Sequence, residues 1–366
     1  MAARPTSRTL ARQRTGTSTP VRDFTGGRPA FAIDWDVRPA YDFLFSLAPD
    51  AGTTDDLPAD DRRWLKAARA ALPGPARTQL DGVMREELGV HLGGFLVSHP
   101  EIHGSVDIAP AMRAAGAPAV LRWLYAEHAA SHPGMAETVD QALAGDPDAA
   151  VTLRASVDES KHRGKLDVLD RPEAVFEGLL EIIEAWAPVF GEIEPRVGAI
   201  LRRDYDLRTG DRESLTGSDL VERTTGGVRI VPESTVSRVI LAPSYFSRPF
   251  NFLLAGDDWR FAAYPVADAA LDLDPLSPPA AVLRLHRALG DATRLRILKL
   301  LSEKDLYATE MAELLELSKP TVTHHLAQLR AAGLVTAIEA GAVIYYHLRR
   351  DRLESATGDL RAFLAG

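Results

Sequence analysis

At 366 residues the chain exceeds what a single hydrophobic core usually serves, so two domains are expected. Its 46% hydrophobic and 25% charged residues match an ordinary soluble protein, and no stretch approaches the roughly 18 uninterrupted apolar residues of a membrane helix. It has no cysteine, which excludes thiolate metal coordination and thiol redox sensing by this sequence; with no apolar signal-peptide core either, a cytoplasmic location and no membrane partner are expected. The net charge of −9 is unevenly spread. Residues 1–30 carry +5 and residues 283–366 carry +2, leaving −16 between them.

In chain order, residues 1–30 are rich in Arg, Thr, Ser, Pro and Gly and read as a disordered basic tail. An N-terminal domain spans 31–274, with a strand at 31–35 and helices at 38–47, 60–71, 78–91, 117–130 and 172–190, the last extended by 191–203. Stripes of Leu, Ile, Val and Trp mark these helices. The pattern then changes. Segments 228–232, 238–241, 250–254 and 259–264 read as strands, the last two joined by the hairpin turn Ala255-Gly256-Asp257-Asp258. The expected fold is α+β, a mostly helical domain with a small antiparallel sheet.

This domain shows no nucleophile elbow, phosphate loop or dinucleotide glycine pattern, so no catalytic residue and no cofactor is assigned. His91, His99 and His103 form its one histidine group, but Pro100 interrupts any shared helical face, and loop or surface histidines far outnumber ligands. His128, His132 and His162 carry no more. The segment Ser244-Tyr245-Phe246-Ser247-Arg248-Pro249-Phe250 has the aromatic and cationic groups of an organic-anion pocket. The preferred reading is core packing, with Arg248 paired to a local carboxylate.

Residues 275–282 form a linker stiffened by Pro275, Pro278 and Pro279. Residues 283–366 then read as a winged helix-turn-helix. The segment 290–301 is a helix with an Asp291 cap and an inner face of Leu295, Leu298 and Leu301; a second helix over 307–315 buries Met311, Leu314 and Leu315. After Glu316-Leu317, Ser318 caps a third helix in which Pro320 occupies the tolerant first turn and Val322, Leu326 and Leu329 form the apolar stripe. Lys319, Thr321, Thr323, His324 and Gln328 fall off that stripe, and such side chains suit base edges or phosphates at a helix N-terminus. Past Gly333 come strands at 334–339 and 343–348 around Ala340-Gly341, and a closing helix at 351–364.

The runs "RALGDATRLRILKLL", "LSKPTVTHHLAQLRAAGLV" and "AVIYYHL" resemble, in order and spacing, the ArsR-type winged-helix transcriptional regulators. The likeness covers under a quarter of the chain. The "PSYFSRPF" segment before a Pro-rich joint resembles uncharacterised domains that accompany such winged helices in bacterial regulators, and it supplies no ligand. The resemblance implies that Ser318, Lys319, Thr321, Thr323 and His324 face the major groove or flanking phosphates. Gln328 joins that DNA-binding set, as does His325, whose place at the edge of the stripe also admits a packing role. It further implies dimerisation through the helices at 279–289 and 351–364. Two departures matter. Where many relatives carry metal-binding Cys pairs this chain reads Glu303-Lys304-Asp305-Leu306-Tyr307, and its last helix has Asp351, Glu354 and Asp359 but no His, so no metal site is expected. The wing tip Ala340-Gly341-Ala342 lacks a basic residue, for which Arg349 and Arg350 are the available substitutes. The expected function is a homodimeric, sequence-specific repressor of double-stranded operator DNA, not controlled by a thiolate metal site and open to a small-molecule effector. The alternative is an enzyme of unknown reaction fused to a DNA-binding module. The acidic bulk is expected to weaken non-specific DNA binding.

Overall fold

The computed structural model describes residues 31–48, 51, 56–84, 91–132, 134–158, 163–230, 236–271, 278–340 and 343–365. The basic tail at 1–30, His162, residues 275–277 of the linker and the wing-tip residues Gly341 and Ala342 lie outside the described residues.

The N-terminal region is built around helix Pro39–Leu47, which is buried on almost every side from Ala40 onward, and around the long helix Pro172–Gly191. Pro39 and Pro172 sit in first turns, where a missing N–H costs nothing. The two helices are tied by Trp186, fully buried, whose indole N–H donates to Ser46 Oγ at 2.8 Å. Helices at Gly93–Ser98, Ser105–Ala115, Met135–Leu143, Pro147–Ser156 and Arg163–Asp170 were not legible in the sequence. The helix expected at 117–130 is broken into Ala117–Leu121, a 3-10 turn at Arg122–Tyr125 and Ala126–Ser131.

The class is α+β as expected, but the first sheet is mixed rather than antiparallel. β1 (Ala32–Trp35), β3 (Arg238–Ser244) and β5 (Trp259–Pro265) run parallel, and only β4 (Phe252–Ala255) is antiparallel, joined to β5 by the expected hairpin at 255–258. Between β1 and β3 come β2 (Val228–Ile230) and a long helical excursion, which is the crossover a parallel pair requires. Burial carries the same signature. β3 and β5 are buried almost continuously, as strands covered on both faces are. Ile240, Ala242, Phe261 and Ala263 join the large helical core, while Val239, Leu241, Ala262 and Tyr264 point to a second cluster with Phe31, Val221, Val228 and Ile230.

β2, read from sequence as part of the N-terminal sheet, leaves it. It pairs in parallel with the wing strand β7 (Val335–Ala340) in a second sheet of order β2-β7-β8-β6, where β8 is Val343–Leu348 and β6 is Leu306–Tyr307. The wing sheet therefore draws one strand from the N-terminal region. Further links are Ala337 N–H to the Gly227 carbonyl at 2.8 Å, Thr336 Oγ1 to Glu222 at 2.9 Å and an ion pair between Arg284 and Asp56.

Around this sheet the helices Ala280–Leu289, Ala292–Leu301, Ala308–Leu315, Lys319–Ala331 and Arg350–Ala365 complete a winged helix. Its core holds Leu285, Ile297, Leu298, Leu301, Met311, Leu315, Val322, Leu326, Leu329 and Val335. Two expected core positions are exposed. Leu295 gives way to Ile297 and Leu314 to Ala312.

Candidate nucleic-acid interface

The turn before the Lys319–Ala331 helix is set by backbone chemistry. Helix Ala308–Leu315 ends with Glu316 in the left-handed region (φ 57°). The Leu317 N–H reaches back to the Ala312 carbonyl at 3.0 Å, and Leu317 packs on the core, as a Schellman closure requires. Ser318 then adopts extended backbone and its Oγ accepts the Thr321 N–H at 3.2 Å, with the two hydroxyls 2.7 Å apart. Three residues thus separate the helices, which fixes the second against the first through Val322, Leu326 and Leu329, all fully buried.

That packing decides what remains outside. Ser318, Lys319, Thr321, Thr323 and His324 are all exposed on one side of the helix. The positive end of the helix dipole and the Lys319 ammonium make this end electropositive, the natural seat of a phosphate. Thr323 and His324 present a hydroxyl and an imidazole farther along.

The other two expected residues turn inward. Gln328 is half-buried; its Oε1 accepts from Arg294 Nη1 at 2.6 Å and its amide nitrogen lies 2.9 Å from His324 Nε2. Arg294, which sequence reasoning left out, is fastened by the Ala288 and Arg287 carbonyls at 2.8 Å each, while its backbone N–H caps onto Asp291. The chain Arg294–Gln328–His324 therefore orients an exposed imidazole from the helix behind it. Asp291 at the helix cap was the only visible signal for Arg294. His325 is half-buried, with Nδ1 3.9 Å from Asp291. Burial holds its pKa below the usual 6.5, with Asp291 opposing and Arg294 and His324 reinforcing the shift.

The two arginines beyond the wing differ. Arg349 is turned toward the N-terminal region, 3.4 Å from the Gly226 carbonyl and 3.1 Å from Asp351, while Arg350 is exposed and reaches the Ser302 carbonyl at 2.7 Å. In the N-terminal region, His99 Nδ1 lies 2.9 Å from the Phe95 carbonyl and its ring packs on Phe95. Among the described residues no group of three or more His, Asp or Glu is placed to hold a metal ion. The segment 244–250 is packed rather than open. Arg248 is 3% exposed, donates to the Asp56 and Val266 carbonyls at 2.9 Å each and pairs with Asp268.

Two helices joined by a three-residue turn, the second with a buried stripe and an exposed polar face, followed by a β-wing, define a winged helix-turn-helix DNA-binding module. A family profile described as "Bacterial regulatory protein, arsR family" matches residues 291–337. The HTH-type transcriptional regulator KmtR of Mycobacterium tuberculosis is 33% identical over 93 residues, which is 25% of this chain and 72% of that protein. The HTH-type transcriptional regulator CmtR of Mycobacterium bovis is 41% identical over 81 residues, 22% of this chain and 69% of that protein. The transcriptional repressor SdpR of Bacillus subtilis is 35% identical over 80 residues, 22% of this chain and 89% of that protein. The chain belongs to the ArsR family of DNA-binding transcriptional regulators, a membership carried by its C-terminal part. No helix among the described residues is long and apolar enough to cross a membrane.

Proposed function

We propose that the chain is a cytoplasmic, sequence-specific repressor that binds operator DNA as a homodimer, with residues 31–274 acting as a sensing and dimer-supporting domain rather than as an enzyme. The observation that carries this reading is the exposed face of Ser318, Lys319, Thr321, Thr323 and His324 on a helix locked from behind by Val322, Leu326 and Leu329. Seated in a major groove, that helix reads base edges with Thr323 and His324 and grips phosphate with Lys319 at its electropositive end. Two protomers then read half-sites about one helical turn, roughly 34 Å, apart. Repression is supported by the likeness to SdpR. With no cysteine in the sequence, control by a thiolate metal site has no ligand set here, and an effector acting through the N-terminal domain takes its place. His325 and Gln328 contribute by positioning, through Asp291 and Arg294.

The test is the double variant Thr323→Ala, His324→Ala. Both side chains are exposed, so circular dichroism and thermal unfolding should match the parent. Operator affinity, measured on the promoter fragment recovered by genome-wide footprinting, should fall by about 2–4 kcal/mol if each side chain specifies one base contact. Unchanged affinity in the folded variant overturns the assignment.

A further inference from the structure

A cleft of about 590 Å³ lies between the N-terminal region and the winged helix. That volume is in the range of small-molecule sites, roughly 300–1,000 Å³. One wall carries Arg208, Arg223, Thr224 and Asn251; the other carries Arg284 from the Ala280–Leu289 helix, Arg330 near the end of the Lys319–Ala331 helix, and Arg349 and Arg352 beyond the wing. Six arginines thus face three carboxylates, and those carboxylates are already engaged. Asp211 pairs with Arg223 at 3.5 Å, and Asp219 and Glu222 pair with Arg229 at 3.1 and 2.8 Å.

Several of the arginines are structural. Asp204 holds Arg208 through both oxygens, Asp56 pairs with Arg284, and Asp351 with Arg349. Arg330 is different. It is half-buried, and among the described residues its guanidinium has neither an ion pair nor a hydrogen bond; its titratable neighbour is Tyr346. Burial lowers its pKa, with Tyr346 opposing the shift, while the cleft leaves the guanidinium open to a partner. Two residues of the same lining also hold polar atoms without a partner. Thr224 Oγ1 and Asn251 Oδ1 are buried with no hydrogen-bond partner among the described residues, in side chains 4% and 8% exposed. Folded proteins rarely leave two such groups beside one cavity, because each buried, unpaired group costs about 1–3 kcal/mol.

We propose that this cleft binds a small organic anion whose carboxylate or phosphate pairs with Arg330, bridging the N-terminal region and the winged helix. The guanidinium fork accepts either oxyanion bidentately. Thr224 can donate a second hydrogen bond to it, and Asn251 Oδ1 can accept from a hydroxyl on the same molecule. Because Arg330 lies on the same helix as His324 and Gln328, near its C-terminal end, a ligand held by both walls favours one placement of the reader over others. Its influence on DNA equals its difference in affinity for those placements. This regulatory consequence rests on the proposed repressor reading; the binding itself does not.

The experiment is titration calorimetry of the full chain, without DNA, against citrate, a glucose phosphate and inorganic phosphate. Binding of citrate marks a carboxylate site, of glucose phosphate a phosphate-ester site, and of inorganic phosphate a site for the bare oxyanion. Arg330→Gln should weaken the binding seen by at least about tenfold, a loss of about 1.4 kcal/mol, and Arg330→Lys by less, since it keeps the charge without the fork. Thr224→Val, which keeps side-chain shape, should weaken it several-fold from the opposite wall and serves as the second variant if Arg330→Gln fails to fold. If none of the three anions binds, or if folded Arg330→Gln and Thr224→Val bind as tightly as the parent, the proposal is overturned. Loss of anion binding leaves the Thr323/His324 operator result standing, and a negative operator result leaves the calorimetry standing.

Discussion

Asp42 shows how much a single buried carboxylate can organise. It is wholly buried in the Pro39–Leu47 helix, and its Oδ1 accepts from Ser244 Oγ and the Tyr245 N–H at 2.8 Å and from the Phe246 N–H at 2.6 Å. Burial pushes its pKa up to about 7 although these three donors pull it down. The folded chain therefore keeps a proton that the unfolded chain releases above 3.8. The stability this contributes is complete below 3.8 and lost as pH rises toward 7. Asp42→Asn keeps an oxygen for the donors, so it should flatten the stability–pH curve across that window, read by urea unfolding at several pH values. It should change neutral-pH stability by no more than about 1 kcal/mol. Asp42→Ala strands all three donors and should cost about 3 kcal/mol or more. At this same scale, Lys319, Thr321, Thr323 and His324 were legible because helical periodicity alone separates them from Val322, Leu326 and Leu329. The partners of Gln328 and His325 were not, because Arg294 and Asp291 meet them only through the packing of two helices.

Among the elements, the helix-turn-helix was the most legible, since caps, turn and stripe are all local. Its phase was less so. The sequence spacing 295, 298, 301 describes a helical face as well as 297, 298, 301 does, and only the neighbouring helices choose Ile297 over Leu295. The turn itself stores strain at Glu316, which occupies a left-handed conformation that glycine adopts freely. Glu316→Gly should therefore stabilise the winged helix by about 1 kcal/mol, seen as a higher denaturant midpoint. A lower midpoint would show that the Glu316 side chain has a compensating role. The first sheet was misread for a related reason. One local hairpin was visible at 255–258, whereas the parallel pairs depend on crossovers that hydrophobic spacing does not report.

At the scale of the molecule, the distinctive feature is that the wing sheet is completed by β2 from the N-terminal region. The junction is tight at Gly227, where φ is 137° and an added Cβ would meet the Val335 carbonyl oxygen at 2.8 Å. Gly227→Ala should detach β2 from β7 and cost about 2 kcal/mol. Hydrogen exchange should then rise at residues 335–338 while the large helical core keeps its protection; unchanged exchange there would show that the strands are not mechanically coupled. This seam and the Arg284–Asp56 ion pair join the N-terminal region to the winged helix.

The amino-acid order alone settles the winged helix, the polar face of its Lys319–Ala331 helix and the lack of cysteine in this sequence, because caps, helical periodicity and composition are local properties that need no partner. It does not settle where β2 goes, which way the first sheet runs, or that Arg330, Thr224 and Asn251 gather around one cleft. Those are outcomes of contacts between segments up to about two hundred residues apart, selected by the burial of both faces of each strand and by the docking of one region on the other.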